Sequence, residues 1–497
     1  MALSFPKFGH PAFAWVALVP LLIAIVQAVR RDRAANRRPF LLGLTTGAIY
    51  FAGTLYWLPD VMVTFGGLAY PLALFAALLL VAYLGLFPAL FAFVTARAWR
   101  WIGPRALLLS PLVWAGTEML RGRLFTGFPW VPLGNSQIDV TPVVQTASLI
   151  GVYGLSALVA LVSAAVAYGV VVRGRARFVP VVAVAVLVAG LSLWGARRVA
   201  DGALLRAGEP VTVGLVQGNI PQGEKWNPAN AARIFNRYLD LSREAADRGA
   251  RLVIWPESST PFMFEQDPVG AAAIKRLATE TGTTMLLGSD QVEHASPPRY
   301  YNSAFLIEPG GRVGGVYRKM QLVPFGEYVP LRGLLFFVGP LVEAVGEFAA
   351  GDTLTIFTLP HGTLSTAICY EAVFPHLARE AVARGSRLLS TITNDAWYGR
   401  SSAPWQHFDQ ARMRTVETGR YLVRAANTGI SGIVDPYGRV VASSALFEEA
   451  VVVGDARFLE GTTLYARIGE AVAWTGLAVT GLLWAGSVLA ARRYPSR

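Results

Sequence analysis

Uncharged apolar runs of bilayer length recur through residues 1–200, at 11 to 29, 39 to 58, 68 to 96, 142 to 172 and 178 to 196, with another at 471 to 491. A hydrocarbon core needs roughly 20 apolar residues per helix, so each run predicts a membrane span. A shorter stretch from Ala106 to Met119 carries only Glu118. Between Arg197 and Glu470 no comparable run occurs. There the pattern changes to short β-rich segments such as "VTVGLVQGNI", "RLVIWPES", "TTMLLGSD", "NSAFLIEP", "LSTAICYE" and "RLLSTITND".

Helix-like stretches with apolar residues at helical spacing lie between these strands: "NPANAARIFNRYLDLSREAADRG", "VGAAAIKRLATETG" and "HFDQARMRTVETGR". Strands alternating with such helices indicate a layered α/β domain. "FLIEPGGRVGGVYRK" and "SGIVDPYGRVVAS" each predict a hairpin across a glycine-containing turn. The organisation expected is a transmembrane bundle over 1–200, an α/β domain over 211–456 and a single anchor at 471–491.

Composition supports the membrane reading, with 54% hydrophobic and 15% charged residues and a mean hydropathy of +0.44. The net charge of +12 would fit a nucleic-acid partner, but the basic residues cluster beside the apolar runs. The clusters are Arg30, Arg31, Arg33, Arg37 and Arg38; Arg97, Arg100 and Arg105; Arg173, Arg175 and Arg177; Arg492 and Arg493. Placing them in the cytoplasm follows the positive-inside rule and puts the α/β domain on the outer side. Lys7 ahead of the first run and five arginines after it favour two short helices broken near Pro20, a hairpin that brings the segments to eight. The first run has arginines rather than a small-residue cleavage site behind it, so it is expected to be retained.

The chain has one cysteine, Cys369, at the end of the apolar strand "LSTAIC" and ahead of the helix-like "FPHLAREAVARG". Free cysteines are mostly buried as small hydrophobes, yet an elbow at the carboxyl end of a strand is where α/β sites form. Glu257 in "WPES" sits at the matching place after another apolar strand. Lys319 follows a hairpin strand. Alone, Glu257 reads equally as a capping acid and Lys319 as a solvated surface residue.

Together, "WPES", "YRKMQLVPFGEYVP" and "CYE" resemble the glutamate, lysine and cysteine motifs of the nitrilase or carbon–nitrogen hydrolase superfamily. A bundle before the domain and one helix after it resemble the apolipoprotein N-acyltransferase family within it. The resemblance implies an α-β-β-α sandwich in an extracytoplasmic domain, with Glu257 as base, Lys319 and the backbone N–H after Cys369 as oxyanion donors, and Cys369 as nucleophile. The chemistry agrees, because a thiol at its reference pKa of about 8.5 needs a base to attack an ester at neutral pH. The same resemblance carries over Glu327 as a group orienting Lys319 or substrate, Tyr370 and Glu371 beside the nucleophile, and Trp226 in "PQGEKWNP" as a lipid-contacting or gating residue. Structural hydrogen bonds are the other reading of Tyr370 and Glu371. Asn302 and Asn394 are expected to shape the pocket.

The implied reaction moves a fatty acyl chain from a phospholipid, typically phosphatidylethanolamine, through a Cys369 thioester to the amine of a lipoprotein's diacylglyceryl-cysteine. Its setting would be a bacterial inner membrane. Leu334, Leu335, Phe336 and Phe337, with Trp397, Tyr398 and Trp405, suit the bilayer interface or else a hydrophobic core. Phe128 and Trp130, in the loop between two spans, are expected to complete a lipid entrance. No cofactor or metal is expected, as His10, His294, His361, His376 and His407 lack close ligand spacing. A membrane-anchored amidase would use the same three residues with water as acceptor. A transporter with an inactive external domain is disfavoured, because the spans carry little charge beyond Glu118.

Overall fold

The structure, a computed structural model, describes residues 1–32, 36–328 and 347–493, without the side chains of Arg492 and Arg493. Arg33 and the loop residues Leu334, Leu335, Phe336 and Phe337 lie outside the described residues. The chain divides into two units, one of Met1–Asp60, Ala69–Asp201 and the residues from Arg467 on, the other of Val61–Leu68 and Gly202–Ala466.

Among the described residues, five helical stretches are long and apolar enough to cross a membrane: Ala12–Arg31, Tyr70–Ile102, Ala147–Val171, Arg175–Arg206 and Ala471–Ala491. A bent pair, Arg37–Thr54 with Leu58–Thr64, adds a sixth if counted as one span. The hairpin expected at 11–29 is corrected. Ala17 and Leu18, which link helices Ala12–Val16 and Val19–Arg31, both have right-handed helical backbone, so the chain does not reverse there. Pro20 falls in the first turn of the second piece, where its missing N–H costs no hydrogen bond. The helix over the shorter stretch, Arg105–Arg121, has 17 residues, the lower end of spanning length.

Close helix approach in this unit depends on small residues. A Cβ on Gly43 would stand 2.3 Å from the carbonyl oxygen of Pro88, and one on Gly47 2.7 Å from the Cα of Gly85. This is how tightly packed membrane helices use glycines four residues apart. The unit also buries charge. Glu118 accepts the Leu133 N–H at 2.7 Å, and Arg121 donates to the carbonyls of Phe128 and Trp130 at 2.8 and 2.7 Å. The two side chains thereby satisfy irregular backbone that lipid could not. Trp130 is 1% exposed against Trp57, so it fills the interior instead of lining an entrance; Phe128 is half-buried.

The second unit holds two six-stranded sheets. In chain order the strands are β1 Glu209–Gln217, β2 Leu252–Ile254, β3 Thr284–Glu293, β4 Arg299–Ile307, β5 Val313–Arg318, β6 Phe357–Leu359, β7 Gly362–Ile368, β8 Leu388–Thr393, β9 Leu422–Ala426, β10 Gly432–Val434, β11 Val440–Ser443 and β12 Ala450–Phe458. One sheet runs β12-β1-β2-β3-β4-β5 and the other β11-β10-β9-β8-β7-β6. Both expected hairpins form, as β4–β5 and β10–β11.

Period-two alternation sorts the side chains into layers. Val211, Val213, Leu215 and Leu286 of the first sheet pack with Leu364, Ile368, Leu388, Ile392 and Val423 of the second. Met285 and Leu287, the neighbours of Leu286, face helices Pro228–Asp247 and Pro268–Thr281 through Tyr238, Ile274 and Leu277. Leu389, Leu422 and Val434 lie against Phe408 and Ala411 of helix Ala403–Thr418 and Val382 of helix Pro375–Ala383. The domain is an α-β-β-α sandwich. Trp405 packs against this last cluster, so it belongs to a hydrophobic core.

Candidate active site

Cys369 follows β7 directly, Glu257 lies just past β2, and Lys319 follows β5. β7 and β2 are interior strands with a parallel neighbour each, so Cys369 and Glu257 come from carboxyl ends in opposite sheets. All three are buried, at 6%, 6% and 1% exposure.

The turns that deliver two of them are strained. Cys369 has φ +52° and Ser258, beside Glu257, has φ +43°. A left-handed backbone costs a side-chain-bearing residue about 1–2 kcal/mol, and surrounding structure must supply it. At the glutamate turn, β3 passes so close that a Cβ on Gly288 would meet the Pro256 oxygen at 2.3 Å. At the cysteine turn, Glu371 accepts the Ile368 N–H at 2.7 Å on one oxygen. Its other oxygen accepts Tyr317 Oη at 2.8 Å and the N–H groups of Met320 and Gln321 at 2.7 and 3.0 Å. Glu371 thus ties the end of β7 to the chain just past Lys319, and its hydrogen bonds are to structure. Burial raises its pKa despite these donors.

Glu257 Oε1 accepts from Asn302 Nδ2 at 2.7 Å and from Lys319 Nζ at 3.3 Å, while Oε2 accepts the Asn394 N–H at 2.8 Å. Burial pushes this carboxyl up, but Lys319, Asn302, Lys225 and Asn394 together hold it below the ordinary carboxylate range. Lys319 also donates to Glu327 Oε1 at 2.8 Å, and that oxygen accepts Asn302 at 3.1 Å. Burial pulls the ammonium down, yet Glu327 and Glu257 outweigh it and hold Lys319 above the ordinary lysine range. Burial first, and Glu257 second, keep the Cys369 thiol well above its usual value, against the opposing pull of Lys319. The site therefore holds a neutral thiol beside an ionised carboxylate and a fixed ammonium. That arrangement can take a thiol proton as sulfur attacks a carbonyl and can stabilise the oxyanion that forms.

Tyr370 is buried edge-on to Phe374, with ring centroids 5.0 Å apart. Trp226 and Trp397 are half-buried, and the Trp397 ring meets Phe65 edge-on at 4.9 Å. Several buried groups had no sequence expectation. Lys225 donates to the Glu257 carbonyl at 3.1 Å, and burial lowers its pKa to about 8. Asp395, His407 and Arg424 form a hydrogen-bonded group behind Cys369. The signal for Lys225 was its place next to Trp226; for Asp395 it was a carboxylate one residue beyond Asn394 at a strand end. Among the described residues, no three His, Cys, Asp or Glu side chains converge to hold a metal ion.

Asp290 is also buried, accepting Ser258 Oγ at 2.7 Å, and burial raises its pKa to about 6. Its stabilising share is present below its unfolded pKa and lost as pH rises through about 6. Asp290→Asn is therefore expected to stabilise the protein at pH 7.5 by about 3 kcal/mol and to change little at pH 4. Melting curves at the two pH values check this; equal destabilisation at both would contradict it.

The carbon–nitrogen hydrolase family model matches residues 212–460, and that of the apolipoprotein N-acyltransferase N-terminal domain matches residues 1–165. An apolipoprotein N-acyltransferase from Geobacter metallireducens is 42% identical, over 96% of this chain and 91% of its own. One from Methylococcus capsulatus is 35% identical over 93% and 90%. Among solved structures, an amidase from Nesterenkonia sp. is similar at 21% identity and a TM-score of 0.41, over 53% of this chain and 95% of its own. With a membrane bundle at one end, a two-sheet sandwich carrying a buried Glu, Lys and Cys, and relatives matched along nearly their whole length, this chain belongs to the apolipoprotein N-acyltransferase family, the membrane acyltransferases of carbon–nitrogen hydrolase fold.

Proposed function

We propose that the chain takes a fatty acyl group from phosphatidylethanolamine onto Cys369 and passes it to the α-amino group of a lipoprotein's diacylglyceryl-cysteine. The observation that carries this reading is the contact of Glu257 with Lys319 beside a buried thiol whose charge environment they dominate. Glu257 takes the thiol proton as sulfur attacks the ester carbonyl. The oxyanion forms toward Lys319 Nζ and the Tyr370 N–H, the carbon–oxygen bond breaks, and Glu257 returns the proton to the leaving lysophospholipid. In the second half the amine attacks the thioester, its proton passes to Glu257, and the thiolate leaves and is reprotonated. Glu327 and Asn302 hold Lys319 and Glu257 in register. The burial of Cys369 limits the approach of water to a thioester there, which favours transfer over hydrolysis.

Trp226 and Trp397 are proposed to meet the acyl chains, in keeping with the aromatic side chains at bilayer interfaces. The arginine clusters beside the apolar runs support a catalytic domain on the periplasmic side of a bacterial inner membrane.

Intact-protein mass spectrometry of the enzyme with phosphatidylethanolamine and no acceptor tests the reading. A fatty acyl adduct labile to neutral hydroxylamine is expected on the wild type and not on Cys369→Ala, with discharge to the amine of an added diacylated lipopeptide. No adduct from any phospholipid, together with hydrolysis of small amides, would replace this reading with an amidase.

A further inference from the structure

Behind the strained cysteine turn, three buried residues from separate elements meet. His407, from helix Ala403–Thr418, places Nε2 3.0 Å from the carbonyl oxygen of Cys369. Its Nδ1 stands 3.0 Å from Asp395 Oδ1 and 3.1 Å from Arg424 Nη2. Arg424, on β9, donates to Asp395 Oδ2 at 2.8 Å, and Thr393 Oγ1 donates to Asp395 Oδ1 at 2.9 Å. All four are at most 1% exposed.

A carbonyl oxygen only accepts, so Nε2 carries a proton. Nδ1 faces both a donor and an acceptor, so a neutral ring takes the Arg424 hydrogen and a charged ring gives one to Asp395. In either state the Nε2–H stays on the Cys369 carbonyl. That carbonyl belongs to the same planar trans peptide as the Tyr370 N–H, and the two point in opposite directions. A donor fixed on one side therefore sets the direction of the N–H on the other. It also polarises the unit, because hydrogen bonds in a chain strengthen one another. Burying an ion pair and an imidazole is a costly way to fill space.

We infer that His407, locked by Asp395 and Arg424, is a positioning residue that aims the Tyr370 N–H at the oxyanion formed when the Cys369 thiol attacks an acyl group. The inference rests on the proposed reading of Cys369 as the acylated thiol. It predicts that disturbing His407 slows reactions passing through an oxyanion and spares those that do not. Alkylation by iodoacetamide is a direct displacement at carbon and forms no oxyanion, so it reports thiol reactivity alone.

The test compares, on the full chain in detergent, the burst of nitrophenol from p-nitrophenyl butyrate with the rate of Cys369 alkylation. His407→Asn keeps an amide toward Asp395 but is too short to reach the Cys369 carbonyl. Its burst is expected to fall about 10–100-fold, less than or near what removing an oxyanion donor outright costs. His407→Gln carries an amide nitrogen to the place of Nε2 and should restore most of the burst, with alkylation unchanged in both. A wild-type burst in His407→Asn, or burst and alkylation falling together, would overturn the proposal. Should His407→Asn fail to fold, the same ratio is read in His407→Phe, which keeps a ring there but has no donor for the Cys369 carbonyl; an unchanged ratio there overturns it equally. A wild type that reacts with the nitrophenyl ester yet forms no adduct from phosphatidylethanolamine defeats the proposed donor and not this role. A wild type inert to both esters defeats the reading of Cys369 itself.

Discussion

Glu257→Gln is expected to slow thioester formation at Cys369 by about 10²–10⁴-fold, the range supplied by a positioned general base. The substitution keeps shape and removes charge. Asn302 Nδ2, Lys319 Nζ and the Asn394 N–H all donate to this carboxylate, at 2.7, 3.3 and 2.8 Å. A carboxamide keeps its oxygen toward the first two and turns an NH₂ against the third, an unmade buried hydrogen bond worth about 1–3 kcal/mol. The kinetic effect is larger because the thiol, held neutral by burial, has no proton acceptor left. The pH profile separates the two effects. Glu257 sits below the ordinary carboxylate range, so the wild-type burst should rise with pH through that low value and then level off. In Glu257→Gln the acid limb should vanish and the rate should climb only as the thiol itself ionises. A variant that forms the thioester at the wild-type rate and pH dependence would remove Glu257 from the chemistry.

The strand end that carries Glu257 was legible in the sequence from local rules, whereas its role came from the family resemblance. A short apolar strand followed by Trp255, Pro256 and an acid predicts a strand end, and β2 ends at Ile254 as that pattern requires. The elbow at Cys369 was legible for the same reason: an apolar strand stops at a polar pair ahead of helix Pro375–Ala383. Reading short β-rich runs likewise gave most strands of both sheets. It did not give β12, in "AVVVGDARF", whose partner β1 begins 241 residues earlier at Glu209. Edge pairing of that kind is decided by tertiary contact and not by the segment's own pattern.

The Asp395, His407 and Arg424 group was illegible on other grounds. Its members stand 12 and 17 residues apart on three elements, and each alone reads as an ordinary polar residue. Only the packing of helix Ala403–Thr418 over the second sheet brings the imidazole beneath Cys369. The N-terminal hairpin failed in the opposite direction. Charge counting at 7 and 30–38 outvoted the backbone, where Ala17 and Leu18 continue the helical path. Trp130 shows a further gap, since an aromatic residue between two spans has the same sequence signature whether it faces lipid or fills the core.

Lys319→Met is expected to damage stability and rate together, and the two losses can be pulled apart. The ammonium contacts Glu327 Oε1 at 2.8 Å and Glu257 Oε1 at 3.3 Å while 1% exposed. Removing it leaves two buried carboxylates facing each other with Asn302 between them, at a cost of about 3–5 kcal/mol. Rate should fall about 10²–10³-fold through the lost oxyanion donor. Because Lys319 is the strongest influence holding Glu257 low, its loss also lets that carboxyl rise, moving the acid limb of the burst profile to higher pH. Adding Glu327→Gln to Lys319→Met removes one of the opposed charges, so melting temperature should partly recover. Rate should not recover, since neither methionine nor glutamine places a positive charge at the oxyanion. Recovery of the burst in step with the melting temperature would make Lys319 a structural counterion and leave the oxyanion to backbone donors alone.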